Sequence, residues 1–489
     1  MSNSDTGYKG DISSIPCYKS IFLSDFCDEI KKSYDEGQFE DFKNILFKMY
    51  GMMNISAGSS DSISIGTDFA MFLKDMCTSI ELDLLNSALY LLIAVTYHQN
   101  HDNDIFADQS FVMWLFNGFF YSEEYEMKKI LLNVINNVSH DSIRFVENMV
   151  NSGFLPQFIE FVCESEASFH VFGVDCIRLF MNMIFFEFQC MELYYEFIGY
   201  IINHMCYFSK ESLNLIYMFA DFSPEALLFL SERINIELFL KLFFSRKLTL
   251  VRKVLKIVLL FCQSSIESVR ERICQDLCFR TLIDVVNYHE YKKALYCIAT
   301  QIIYEFFNNQ PAINIENYIL SSLFEFIIDS MMSGDFKTQQ SGVISYFCLL
   351  NRLKDRFSFQ SCMLNRRIIE QLIEMFDSSN VDLVKETLCC LMCIISIPLD
   401  FDQNLELLPP FIGEKSASVN WHLISSTFNE HINERFEELY DYQDLADLIQ
   451  ALQCSIQLLI EKYPPDEWYK MVEPDGMYSF FDDDFDYYT

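Results

Sequence analysis

The chain has 489 residues and a formal net charge of -35, from 35 Lys and Arg against 70 Asp and Glu. That sign argues against nucleic acid as a direct partner, because phosphate binding needs clustered cations. Apolar residues make up 51%, and Gly (14) and Pro (10) are scarce, a composition that fits packed helix and excludes a chain made mostly of loop or disordered segment.

In chain order, residues 1–53 predict a capping helix pair with Phe42, Ile45, Leu46 and Met49 on one face. Asn54 to Asp68 is rich in Ser, Gly and Asp and reads as a loop. Eight apolar pairs then recur: Phe72/Leu73, Leu115/Phe116, Phe158/Ile159, Ile201/Ile202, Phe239/Leu240, Leu282/Ile283, Ile327/Ile328 and Leu372/Ile373. Successive steps are 43, 43, 43, 38, 43, 45 and 45 residues, the period of helical repeats. Each pair is expected to open a short helix, followed usually 12 residues later by a longer amphipathic one.

The longer helix carries apolar residues at positions 0, 4, 7 and 11, one stripe of a 3.6-residue period. Leu84, Ala88, Leu91 and Val95 show it, as do Met127, Leu131, Val134 and Val138, and Phe172, Cys176, Leu179 and Met183. It returns from Val251, Leu295 and Val384, is poorer from Leu213 and drifts from Val343. A third, shorter helix precedes several pairs, at Asp141 to Asn151, Pro224 to Asn235 and Ser264 to Leu277.

The string NSGFLPQFIEFV, Asn151 to Val162, resembles the armadillo turn and second helix, with a Gly at the corner and a Pro early in the next helix. Arg366 to Ser396 resembles the second and third helices of the same family. The resemblance covers about residues 68–397, and the corner Gly is clear only at Gly153. It implies an all-α, right-handed α-solenoid of about eight armadillo-like repeats, with helical caps at residues 1–53 and 419–463. Asp400 to Ser418 reads as a linker, and the two C-terminal capping helices are expected near Val419 to Asp441 and Gln443 to Lys462. Pro464 and Pro465 then end helical structure, leaving an acidic, aromatic tail over residues 464–489.

Armadillo proteins that hold extended peptides do so with an Asn at position 10 of the long helix and a Trp four residues earlier. Asn137 and Asn182 occupy the Asn position here, whereas Asn133 and Arg178 stand in place of Trp, so the importin-alpha-like box is absent. The same flank continues through Phe219, Ile257 and Phe261 and, leaning toward it, Lys253. Asn133, Asn137, Arg178, Asn182, Phe219, Phe261 and Lys253 are therefore the candidate partner-binding residues, with a core position as the alternative for the apolar ones. Arg246, Lys247, Arg252, Lys253 and Lys256 form the densest basic cluster, within residues 232–293, where 12 Lys and Arg outnumber 7 Asp and Glu.

The 17 Cys lack framework spacing and no leader pattern opens the chain, so a reducing compartment, cytoplasm or nucleus, is expected. The most apolar runs considered, Ala88 to Tyr97 and Leu388 to Leu399, fall short of the ~18 residues of a membrane span. His98, His101, Asp102 and Asp104 cluster without a second group to complete a metal site, and Cys390 and Cys393 read as core. No phosphate-binding, dinucleotide, HExxH or GxSxG pattern occurs, so neither cofactor nor catalysis is expected. The expected function is a non-catalytic scaffold or adaptor holding a protein or peptide along the concave face of the solenoid, toward which the candidate flank is expected to point. The alternatives are a nucleocytoplasmic carrier for basic cargo and the regulatory subunit of an enzyme. The tail is expected either to dock near Arg246 to Lys256 and the flank at Phe219 and Phe261, or to stay free.

Overall fold

The computed structural model describes residues 16–56, 66–79, 82–98, 103–205, 209–234, 236–276, 279–289, 293–309, 317–333, 336–353, 366–376, 378–400, 439 and 442–462. Among these every regular element is helical. The chain divides into two compact units, Met1–Arg233 and Ile234–Thr489.

The first unit opens with α1 (Pro16–Asp35), α2 (Phe39–Ser56), α3 (Thr67–Ser79) and α4 (Leu82–His98). A 3-10 turn (Asn103–Phe106) leads to α5 (Gln109–Tyr121), α6 (Tyr125–Asp141), α7 (Ile143–Asn151), α8 (Phe154–Cys163) and α9 (Glu166–Phe185). It closes with α10 (Met191–Asn203), α11 (Ser209–Phe222) and α12 (Pro224–Arg233). The long helices pack in series, α2 on α4, α4 on α6, α6 on α9 and α9 on α11. The short ones form a second row, with α3 against α5 and α8 against α10.

The second unit holds α13 (Ile236–Phe243), α14 (Leu248–Cys262), α15 (Glu267–Asp276), α16 (Phe279–Tyr288), α17 (Lys293–Asn309) and α18 (Asn317–Met331). It continues with α19 (Phe336–Leu353), α20 (Arg366–Phe376), α21 (Val381–Asp400) and α22 (Gln443–Lys462). Its long helices repeat the scheme, α14 on α17, α17 on α19, α19 on α21 and α21 on α22. This packing is consistent with a helical-repeat fold.

Local chemistry sets the helix ends. Asp108 caps α5 by accepting from the Phe111 amide at 3.0 Å, and Ser142 caps α7 by accepting from Phe145 at 3.1 Å. Gly153 bridges α7 and α8 at φ +74, a left-handed backbone that costs an L side chain about 1 kcal/mol. The three short helices expected before the apolar pairs are present as α7, α12 and α15, and the expected helix from Gln443 is α22.

The apolar pairs do not open their helices. Phe158 and Ile159 lie mid-way along α8, and Ile201 and Ile202 at the end of α10. A helix begins where capping chemistry permits, whereas the pair marks where its face meets the neighbouring long helix. The stripe residues of α4, α6, α9, α14 and α17 are buried throughout, as are Val384, Leu388 and Leu391 of α21. In α11 the buried set rotates to Leu213, Ile216, Phe219 and Ala220, which accounts for its irregular stripe.

One described helix, α9, is long and apolar enough to cross a membrane by length and composition. Its Phe169, Phe172, Cys176, Leu179 and Phe180 are buried inside the first unit. Most of the expected linker, the expected helix at 419–441 except Leu439, residues 57–65 of the N-terminal loop and the tail 464–489 lie outside the described residues.

Candidate functional site

Neighbouring long helices are joined by a repeated polar rung. The Asn137 Nδ2 donates to the Ile93 carbonyl at 3.1 Å and to Thr96 Oγ1 at 3.2 Å. One unit on, the Asn182 Nδ2 donates to the Asn136 carbonyl at 3.1 Å and to Ser139 Oγ at 2.9 Å. Counting from each stripe start, position 10 reaches positions 9 and 12 of the preceding long helix in both cases. The hydroxyls fit this role because each sends its own proton back along its helix, Thr96 to the Leu92 carbonyl at 2.8 Å and Ser139 to that of Asn136 at 3.0 Å. A lone pair is thereby left for the Asn amide.

The second unit repeats the rung with other residues. Gln263, at position 12 from Val251 and the C-cap residue just past α14, donates through Nε2 to Glu305 Oε1 at 3.1 Å, and Glu305 holds position 10 of α17. Burial pushes the Glu305 carboxyl above its usual range, opposed by Gln263 and by Arg270.

The structure divides the sequence candidates into four groups. Asn137 and Asn182 spend both amide protons on the preceding helix, so neither has a donor to offer a peptide backbone. Their role is register between helices. Asn133 and Arg178, both at position 6 of their stripes in α6 and α9, are half-buried and exposed respectively. Arg178 pairs with Asp175 at 3.3 Å, one turn earlier on the same helix. The Asp175 carboxyl is pushed up by burial, which outweighs the nearby charges of Arg178 and Lys129.

Phe219 and Phe261 are corrected. At 0% and 1% exposure both are core, as is Ile257, so the expected apolar half of a groove is absent at these positions. Fully burying a phenylalanine gains roughly 1.5–3 kcal/mol, and the rotated stripe of α11 and the broad apolar face of α14 both claim that gain. Lys253 is half-buried on α14, beside exposed Arg252.

Two exposed features escaped the sequence reading. Tyr97, His140 and Phe185 share position 13 at the ends of α4, α6 and α9, and Tyr97 and Phe185 are 60% and 68% exposed. The rungs at positions 10 and 12 fix these helices side by side, which sets the three rings in one row a turn beyond Asn137 and Asn182. Extending the stripe count by two positions would have found them.

The second feature is a corner between α13 and α16. The rings of Phe244 and Tyr288 meet edge to face at 5.5 Å while remaining 41% and 53% exposed. A bond of 2.9 Å between His289 Nε2 and the Phe243 carbonyl ties the two helix ends together. Arg246, Lys247 and Leu248 follow directly, all exposed. No periodicity marks an aromatic at a helix end, so sequence gave little signal here.

Among the described residues no group of three His, Cys, Asp or Glu side chains is placed to hold a metal ion. His101 and Asp102 lie outside them. Cys390 and Cys393 are buried in α21.

The chain matches no family model and no curated protein. It is similar in fold to an engineered protein whose crystal structure was determined as a Northeast Structural Genomics Consortium target. That likeness has a TM-score of 0.57 at 13% identity and covers 80% of this chain and 98% of the other. At such identity it concerns the fold alone.

Proposed function

We propose that this chain is a non-catalytic interaction scaffold of armadillo type, a right-handed solenoid of about eight repeats working in a reducing compartment, cytoplasm or nucleus. A protein or peptide partner lies across the flank of α4, α6 and α9, on Asn133, Arg178 and the ring row Tyr97, His140 and Phe185. The observation that carries this reading is the repeated rung. Because position 10 of one helix is bonded to position 12 of the one before, equivalent side chains form rows across successive helices instead of converging on one point. A row offers one contact per repeat, the arrangement an extended partner can follow. Large rings held in water on rigid helix ends are natural anchors for such a contact.

The full chain and its Y97A/F185A and R178E variants, used as bait in native cell extract at low and moderate salt, test the reading. The partner recovered by the wild-type chain should fall at least tenfold with each variant while thermal stability is unchanged. Equal recovery by all three baits would overturn it. Basic cargo arriving with transport factors would replace the scaffold by a carrier, and a stable catalytic partner would replace it by a regulatory subunit.

A further inference from the structure

We propose that the corner between α13 and α16 is the seat of this chain's own C-terminal segment, Pro464 to Thr489, which binds through Phe244, Tyr288, Arg246 and Lys247. The segment carries eight Asp and Glu against one Lys, with Phe480, Phe481, Phe485, Tyr487 and Tyr488 set among Asp482, Asp483, Asp484 and Asp486. Such a segment has aromatic groups that gain from burial and charges that a surface of the same sign repels. Most of this chain is such a surface, at -35 overall. The stretch 232–293 departs from that sign, with 12 Lys and Arg against 7 Asp and Glu, as does the shorter stretch 352–367 with five against one, and the corner lies in the first.

The corner supplies both halves of the complement. Among the described residues the side chains of Lys241, Arg246, Lys247 and Arg252 are exposed and have no carboxylate partner. The Phe244 and Tyr288 rings meet edge to face, and Tyr288 also meets the His289 ring, yet Phe244 and Tyr288 both keep exposed surface beside the exposed Leu248. The nearest acidic group on the same helix, Asp284, stands one turn before Tyr288 and faces Arg280 at 3.9 Å. The tail carboxylates therefore meet cations at this corner, and the tail rings meet Phe244, Tyr288 and Leu248.

The reach is sufficient. From α22 back to α14 there are four packing steps, through α21, α19 and α17. At ~8–10 Å per helix pair these amount to about 40 Å. The 27 residues after Lys462 span up to about 90 Å at ~3.3 Å each. The tail is thus long enough to reach the corner of its own molecule.

Carbodiimide coupling of the full chain tests this, because it joins a carboxylate to an amine only where the two touch. Equal parts of unlabelled and 15N-labelled chain separate coupling within a molecule from coupling between copies. Lys247 or Lys241 should join to a residue among Asp482 to Asp486 within one molecule. That product should fall at least tenfold in F244A/Y288A, in R246E, and in about 1 M salt, where the Debye length shrinks to ~3 Å. All the replaced side chains are surface groups, and circular dichroism verifies that each variant stays folded. Absence of the product, a product joining only different copies, or one undiminished in both variants would overturn the proposal.

Discussion

The Nδ2 atom of Asn182 lies 2.9 Å from Oγ of Ser139, its partner on the preceding long helix. Asn137 makes the same bond to Thr96 at 3.2 Å. The two pairs turn side chains that a peptide-binding repeat would present to a ligand into ties between repeats.

Asn182→Ala should therefore be destabilising. It removes two bonds and leaves the Asn136 carbonyl and Ser139 Oγ without their donor, a loss of about 1–3 kcal/mol at ~0.5–1.5 kcal/mol per bond. Asn133→Ala, with no such role, should stay within ~0.5 kcal/mol. Urea unfolding of both variants checks this. An Asn182 variant as stable as the Asn133 one would return Asn182 to the list of ligand-binding groups.

Asp175 makes stability depend on pH in a defined direction. Its folded carboxyl titrates above the ordinary range because it is buried. The folded state thus holds a proton that the unfolded state releases first, and this contribution, present at low pH, is lost as pH rises through the folded value. Asp175→Asn should unfold at a higher urea concentration than wild type at pH 7, with the difference shrinking toward pH 4. Its exposed partner Arg178 forfeits little when the pair is broken. Lower stability of the variant at pH 7 would contradict this account.

Gly342 marks a close approach of α19 to α18. A Cβ there would stand 2.6 Å from Ser330 Oγ and 2.9 Å from the Met331 backbone nitrogen. The serine hydroxyl can turn away but the backbone cannot, so Gly342→Ala should cost about 1–3 kcal/mol despite favouring helix. Thermal unfolding of that variant beside Gly51→Ala, whose Cβ meets nothing within 4 Å, decides the point. Equal melting temperatures would remove the close approach as a constraint.

The described cysteines should differ widely in reactivity. Burial raises the thiol of Cys27 to about 11 and that of Cys163 to about 12, and Cys77, Cys176 and Cys390 are fully enclosed and higher still. Cys454 on α22 is exposed. Brief alkylation of the native chain at pH 8, read by peptide mass, should modify Cys454 at least tenfold faster than Cys77, Cys176 or Cys390. Comparable rates would mean that those helices open far more readily than their packing implies.

The sequence alone determined that the described chain is helical and where most of the core of its long helices lies. Burying an amphipathic helix requires an apolar residue every three or four positions, and Leu84, Met127, Phe172, Val251 and Leu295 each begin such a run. It could also place Asn137 and Asn182 at equivalent positions, because counting along a helix needs no neighbour. What those residues touch was decided only by the tertiary structure. Whether an amide at position 10 meets solvent or a hydroxyl at position 12 of the previous helix depends on how far one helix slides along the next. That offset is fixed by packing of the whole face and by no residue within the helix itself. Phe219 and Phe261 went into the core for the same reason, while Phe244 and Tyr288, at helix ends that no period describes, stayed at the surface.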